Sequence, residues 1–274
     1  LFTFESEEAF HGAGYAFEIR RRHGVPMEFL SGDEAREIEP HLSRTVMRAI
    51  HVPSLVFTLD PGGLVKSLAG LFERRGGRLL RQAVDGFDIG PDGVRAIRTD
   101  QGDLPVDHVV IAAGVWSRPL AKALGTSVPL EAERGYHTMF HDSGVSMTSG
   151  VLSADRYVSV TPMKDGIRVG GFAEFAPPDA PPDPARAKIV AKIGQSLIPG
   201  LGGSRRTEWM GSRPSHPDSK PAIGRSPKHR NAYFAFGHDH LGLTFGSITG
   251  KLISELIAGK PPCVDLEPFR PGRF

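Results

Sequence analysis

The segment His108-Val-Val-Ile-Ala-Ala113, closed by Gly114, constrains this chain more than any other. After the histidine it shows no polar alternation. A strand with one wet face alternates apolar and polar residues, whereas an unbroken apolar run suits a strand covered on both faces, as in a parallel sheet. Ser117 to Leu124 then has the length of a short helix, ending at Gly125. Small residues at a strand's C-terminal end let a ligand come close to the backbone, where open α/β sheets bind their ligands. Tight packing is the commoner reason for the same residues.

Elements elsewhere follow from local chemistry. Leu1 to Phe4 has strand character and no initiator Met precedes it, so an upstream segment is expected. Glu5 to His23 reads as one helix with Phe10, Ala13 and Phe17 on its apolar side, stopped by Gly24. Met27 to Leu30 is a short strand, and Ser31-Gly-Asp-Glu34 is a capping box for the next helix. Asp60-Pro61 is an N-cap followed by proline at the first helical position. Leu64, Leu68, Leu71 and Phe72 carry the helical period, and Gly76-Gly77 ends it. Leu79 to Val84 reads as a strand, with a hairpin at Val94 to Thr99 after Pro91-Asp92-Gly93.

Between Val128 and Phe175 short strand-like pieces alternate with turns: Tyr136 to Phe140, Arg156 to Thr161, and Ile167 to Gly171. This pattern predicts antiparallel sheet. A proline-rich connection, Pro177 to Pro184, precedes a helix at Ala185 to Leu197. Ala232 to Phe236 is a buried strand, and Leu243 to Ala258 a strong helix. Two patterns therefore interleave: βα units near 60–125 and 206–260, with antiparallel β between them.

Composition excludes several classes. Lys+Arg 33 against Asp+Glu 31 leaves +2, too balanced to point to nucleic acid or an acidic membrane surface. The single cysteine, Cys263, allows no intrachain disulfide and no cysteine-based metal site. A reducing cytoplasmic setting fits, with attachment to the periphery of an inner membrane as a variant.

Two further segments carry candidate chemistry. In Gly237-His-Asp-His-Leu-Gly-Leu-Thr-Phe-Gly-Ser-Ile-Thr-Gly250, the glycines at 242, 246 and 250 line one helix face. A bare face admits another backbone or a flat ligand, and a helix N-terminus favours partial negative charge. Helix–helix packing uses the same spacing. His238-Asp239-His240 lacks the further ligands a metal site needs. In Trp209-Met-Gly-Ser-Arg-Pro-Ser-His-Pro-Asp218, prolines make a stiff path carrying Arg213. A guanidinium grips a carboxylate through two parallel hydrogen bonds, although a surface loop is the ordinary home of a single arginine.

Taken together, Ala112-Ala-Gly-Val-Trp-Ser117, Arg134-Gly-Tyr136, Val169-Gly-Gly-Phe-Ala-Glu174, Gly211-Ser-Arg-Pro214 with Pro217-Asp218, Gly237-His238 with Leu241-Gly-Leu-Thr244, and the closing Pro268-Phe-Arg-Pro-Gly-Arg-Phe274 resemble the D-amino-acid oxidase and dehydrogenase superfamily of FAD enzymes. The branches nearest in pattern are glycine oxidase and the smaller polypeptide of D-amino-acid dehydrogenase. The resemblance implies a mixed α/β fold, in which an incomplete Rossmann-like FAD-binding domain (56–125 and 206–274) interleaves with an antiparallel-sheet substrate domain (1–55 and 126–205). It implies Val84 at the adenine side of FAD, and Ala112, Ala113, Gly114 and Trp116 along the cofactor. His238, Leu241, Gly242, Leu243 and Thr244 would lie near the isoalloxazine. Gly211 stands where covalent relatives attach flavin through cysteine, so non-covalent FAD is expected. Arg213 would bind the substrate carboxylate, with Tyr136 and His240 lining the same cavity. The implied reaction oxidises the Cα–N bond of a D-amino acid, glycine-like or proline-like substrate by hydride transfer to flavin N5. Oxygen, a quinone or a carrier protein would take the electrons.

One departure is plain. No Gly-x-Gly-x-x-Gly follows a strand anywhere in the chain: Gly62-Gly63, Gly76-Gly77 and Gly200 to Gly203 have the wrong spacing. Two alternatives therefore stand beside the enzyme: a non-catalytic fragment or subunit that needs a partner segment to bind FAD, and a related flavin dehydrogenase of a hydroxy acid or polyol phosphate.

Overall fold

The structure, a computed structural model, describes residues 1–274. In chain order the elements begin β1 (Phe2–Phe4), α1 (Glu7–Gly12), α2 (Gly14–Arg22), β2 (Glu28–Ser31), α3 (Gly32–Ile38), β3 (Arg48–His51) and α4 (Pro61–Arg74). Next come β4 (Val84–Gly90), β5 (Gly93–Thr99), β6 (Gly102–Pro105), β7 (Val109–Ile111), α5 (Ser117–Ala123), β8 (Glu131–Phe140), β9 (Val151–Ser153) and β10 (Val158–Met163). The last are β11 (Gly166–Phe175), α6 (Pro184–Leu197), β12 (Arg206–Ser215), β13 (Ala222–Arg225), β14 (Ala232–Phe236) and α7 (Gly242–Ile257). The chain divides into two compact units. One comprises Leu1–Val65, Gly135–Ala173 and Pro181–Gly211, and the other Lys66–Arg134, Glu174–Ala180 and Ser212–Phe274.

The first unit is built on an eight-stranded sheet of order β12-β8-β11-β10-β9-β1-β3-β2. Its β1–β3, β2–β3, β9–β10 and β10–β11 pairs are antiparallel, and β1–β9 is parallel. Helix α6 packs Val190, Ala191 and Leu197 onto Val158, Val160 and Val169. It comes so close that a Cβ at Gly194 would lie 2.5 Å from a Val169 methyl. Helix α3 opens with the expected capping box: Ser31 Oγ accepts the Glu34 N–H, and the Glu34 carboxylate accepts the Ser31 N–H.

The second unit holds the three-stranded sheet β13-β14-β7, in which β7 pairs β14 in parallel and β13 pairs it antiparallel, and the hairpin sheet β4-β5-β6. Phe87, Val109, Ile111, Leu124 and Phe234 form its larger core. Ile223, Tyr233, Leu252 and Ile253 seat α7 on β13 and β14.

Several expectations change. The first helix is two, α1 and α2, broken at Ala13, where flanking Gly12 and Gly14 remove helix propensity. Residues 79–83 form no strand; the β4–β5 ladder starts at the Val84–Thr99 pair, and beyond it the Ala83 N–H turns to the Asp100 carboxylate instead of a backbone carbonyl. Before β10, Tyr157 sits at φ +53, which delays the strand to Val158. The segment carrying Arg213 is strand β12 and not a loop; it ends the sheet order, and an edge tolerates Pro214. Strand β7 is covered at Val109 and Ile111, but Val110 points to the opposite face, where the cavities lie, and is 38% exposed. Helix α4 forms where its period predicts, yet none of its residues is buried. No helix is long and apolar enough to cross a membrane.

Candidate functional site

The C-terminal end of β7 is the centre of the second unit's candidate site. Val110 and Ala112 line two cavities at once. One, of about 280 Å³, adds Val84, Phe87, Ala113 and Leu120. The other, of about 370 Å³, adds Ala235, His238, Gly242, Gly246, Thr249 and Gly250. The glycine face of α7 therefore lines a cavity and does not pack on another helix. A Cβ added at Gly246 or Gly250 would meet nothing within 4 Å, and the same holds at Gly114, whose φ of +57 turns the chain out of the strand. Leu241, Leu243 and Thr244 are exposed, and no side chain caps the first turn of α7.

His238 is fixed by a 2.9 Å hydrogen bond between Nε2 and Thr249 Oγ1. Burial, with a smaller contribution from His216, holds its pKa below the ordinary imidazole value, so it is neutral at pH 7. This small, apolar and glycine-rich lining fits a flat heterocycle: no Asp, Glu, Lys or Arg lines either cavity, and the one titratable ring, His238, is uncharged. Trp116, 65% exposed, lines a third cavity of about 880 Å³ with Phe175 and Pro177.

Arg213 lies at the end of β12. Its Nη1 donates to Glu133 Oε1 at 2.7 Å, and the two side chains are 28% and 18% exposed. Ser215, two residues on and so on the same strand face, donates to Asp239 Oδ1 at 2.9 Å and has Glu133 Oε2 at 3.4 Å. The hydroxyl carries one proton, so Asp239 is its better partner. Asp239 takes φ +54, an unusual conformation for a non-glycine residue. His240 stands on the outside, its side chain 66% exposed and its Nδ1 3.5 Å from Asp239 Oδ2.

In the first unit Tyr136 is 2% exposed. Its phenol oxygen accepts the Asp183 N–H at 3.1 Å, where Asp183 caps α6, and its ring meets Phe172 edge-on. Gly211 lies under an indole: a Cβ there would be 2.0 Å from the Trp209 ring. Trp209 in turn lies against His137, with ring centroids 5.2 Å apart. Burial first, and the charge of Arg168 second, push the His137 pKa down to about 4.

Sequence reasoning missed Glu133, Ser215, Asp239, His137 and Trp209 as members of these clusters. The signal was present in the alternation Glu133-x-x-x-His137 and Trp209-x-Gly211-x-Arg213-x-Ser215. Period-two spacing puts such residues on one face, but using it required knowing that 206–215 is a strand and which strand it pairs.

Comparison with known proteins agrees with this architecture. The chain is 34% identical over 262 residues to the D-amino-acid oxidase of Bradyrhizobium diazoefficiens, covering 94% of this chain and 62% of that protein. It thus spans less than two thirds of the length of that curated relative. Glycine oxidase from Geobacillus kaustophilus has the same fold, with TM-score 0.89 and 22% identity over 99% of this chain and 74% of that one. L-proline dehydrogenase from P. horikoshii matches with TM-score 0.83 and 26% identity, over 100% of this chain and 75% of that one. The sequence profile of the FAD dependent oxidoreductase family (DAO) covers residues 1–256, nearly the whole chain, and the chain belongs to that family.

Proposed function

We propose that this chain carries the substrate-binding part and a portion of the flavin-binding part of an FAD-dependent amino-acid oxidoreductase. The carrying observation is Arg213, held at a strand end by Glu133 and partly open to solvent. A planar cation locked in orientation can take a carboxylate with two hydrogen bonds at little entropic cost. Glu133 keeps the guanidinium fixed while no substrate is present, and Ser215 with Asp239 fixes the loop beside it. Catalysis by such a site is chiefly positioning, which holds one Cα–H in place while water is excluded.

Residues lining the two cavities beside β7, namely Val84, Ala112, Ala113, His238 and Gly242, with Gly114 at the strand's end, would hold FAD without a covalent bond. Leu241, Leu243 and Thr244 would supply the open first turn of α7. Bound there, FAD supplies the hydride acceptor. Neutral His238 adds no positive charge, so the partial charge of the α7 N-terminus is what favours an electron-rich ring.

The test is a visible spectrum of the purified chain before and after FAD is added and the excess removed, followed by anaerobic addition of D-amino acids, glycine or proline. Retained flavin that bleaches with an amino acid and not with 2-hydroxy acids or polyol phosphates supports this reading; bleaching only with the latter two replaces it. Oxygen uptake during turnover separates oxygen from a quinone or carrier protein as acceptor.

A second reading has its own observation. Val110 at the open edge of β7 and the bare apolar face of α4 are surfaces that a strand and helix would cover. On this reading FAD binds only with a further strand–turn–helix bearing Gly-x-Gly-x-x-Gly. A colourless chain that acquires flavin on coexpression with such a segment supports it; a chain that binds FAD alone overturns it.

A further inference from the structure

The closing segment Pro268 to Phe274, so far without a role, anchors a polar cluster in the second unit around Arg273. The Arg273 side chain is 10% exposed. Its Nε and Nη2 donate to the two oxygens of Asp218 at 2.8 and 3.0 Å, in a bidentate fork. Nη2 also donates to Lys220 O at 2.6 Å. Nη1 reaches Pro221 O, Phe269 O and Arg270 O at 3.2–3.3 Å. All five guanidinium protons are thereby used, and the acceptors come from two separate stretches of chain, 218–221 and 269–270.

What the fork holds is a tight turn. Ser219 takes φ +54 and its N–H bonds His216 O at 2.9 Å, while His216 Nδ1 meets Lys220 O at 2.9 Å. The His216 ring is 4% exposed and lies between Phe236 and Phe274, at 5.9 and 5.3 Å between centroids; Phe274 in turn sits under Arg273 at 4.3 Å. The same ring abuts the backbone of Gly237. A Cβ there would fall 2.1 Å from His216 Cε1, and the φ of +81 already requires glycine. Gly237 leads directly into His238, whose ring lines the cavity beside β7.

We propose that Arg273 and Phe274 are positioning residues: they latch the 216–221 turn, and through the His216 ring against Gly237 they set the place of His238 in that cavity. Neither residue lines the cavity, so their effect passes through the turn and one ring, as supporting groups orient a ligand-binding side chain. The importance of the latch for catalysis rests on the cavity being the flavin site. The latch itself is read without flavin, so the two proposals fail separately.

The test is a histidine NMR titration of the full chain and of its R273Q and F274L variants. His238 is faced by Thr249 and His216, and His216 by Arg273, Asp218, the Lys220 carbonyl and Gly237. Removing the Arg273 charge by itself eases protonation of His216, and that extra charge depresses His238 further. Releasing the loop hydrates His238 and raises its pKa towards the ordinary value. The expected result is therefore an upward shift of His238 in both variants. A downward shift, or none, with the fold intact overturns the latch. F274L leaves the fork whole and is the milder variant. Should both variants fail to fold, amide exchange in the unaltered chain decides. The Leu241 N–H, bonded to His238 O, and the Lys220 N–H, bonded to Asp218, should then open together. Exchange of Leu241 more than about tenfold faster than Lys220 overturns the proposal.

Discussion

His137 shows how one buried residue ties stability to pH. Burial and the neighbouring Arg168 hold it at about 4 in the folded chain, against about 6.5 when unfolded. The unfolded chain therefore binds the extra proton first. The stability His137 contributes is complete above pH 6.5 and is lost as pH falls through about 4. Screening of a ring that is only partly buried limits this to about 1–2 kcal/mol. His216 and His238, also lowered chiefly by burial, act with the same sign. We expect the urea midpoint of the chain to fall between pH 7 and pH 4, and H137Q to flatten that slope. An unchanged slope in H137Q would mean that the ring is hydrated. Glu133 and Asp239 belong to the residue scale as well. Glu133 did not stand out in the sequence, because an acidic residue is usually a surface residue, and Asp239 stood out only beside its two histidines. Their role appears only once Arg213 and Ser215 are found beside them.

Among the elements, α7 separates two uses of a glycine face. Helix packing would have filled the space at Gly246 and Gly250, yet an added Cβ at either meets nothing. Alanine there should thus stabilise the helix by about 0.5–1 kcal/mol per site, the ordinary cost of glycine in a helix interior. The same methyl groups would project into the cavity. G246A and G250A are expected to raise the thermal midpoint while weakening FAD binding at least about tenfold; stabilisation with unaltered FAD affinity would remove this face from the flavin site. Strand β12 carries the contrasting lesson. Prolines at 214 and 217 suggest a loop, yet edge position in the sheet makes Pro214 acceptable, and the strand then delivers Arg213 and Ser215 to one face.

At the scale of the whole molecule, the unusual feature is exposed apolar surface. Leu64, Val65, Leu68 and Phe72 on α4 are 45–57% exposed, and Val110 on β7 is 38% exposed. Solitary exposed apolar residues are ordinary, whereas a full helical stripe points to a covering partner. Replacing Leu68 by Glu should leave the unfolding free energy from urea titration within about 0.5 kcal/mol, since the residue touches no core, while reducing self-association in sedimentation. A large loss of stability would show that the stripe is covered within the chain itself.

Local chemistry in the sequence was enough to determine the capping box at Ser31, the start of α4 at Asp60-Pro61, the presence of a strand at β7, helices α6 and α7, and the motifs that carry the family resemblance. These depend on residues within a few positions of one another, where backbone hydrogen bonding and sterics act without the rest of the fold. Only the tertiary structure decided that β12 is a strand, that Val110 is open, that the glycines of α7 face a cavity, and that Arg273 reaches back to Asp218. Each of these depends on which distant segment lies alongside. Local propensity carries no information about that, because pairing and burial are settled by the packing of the whole chain.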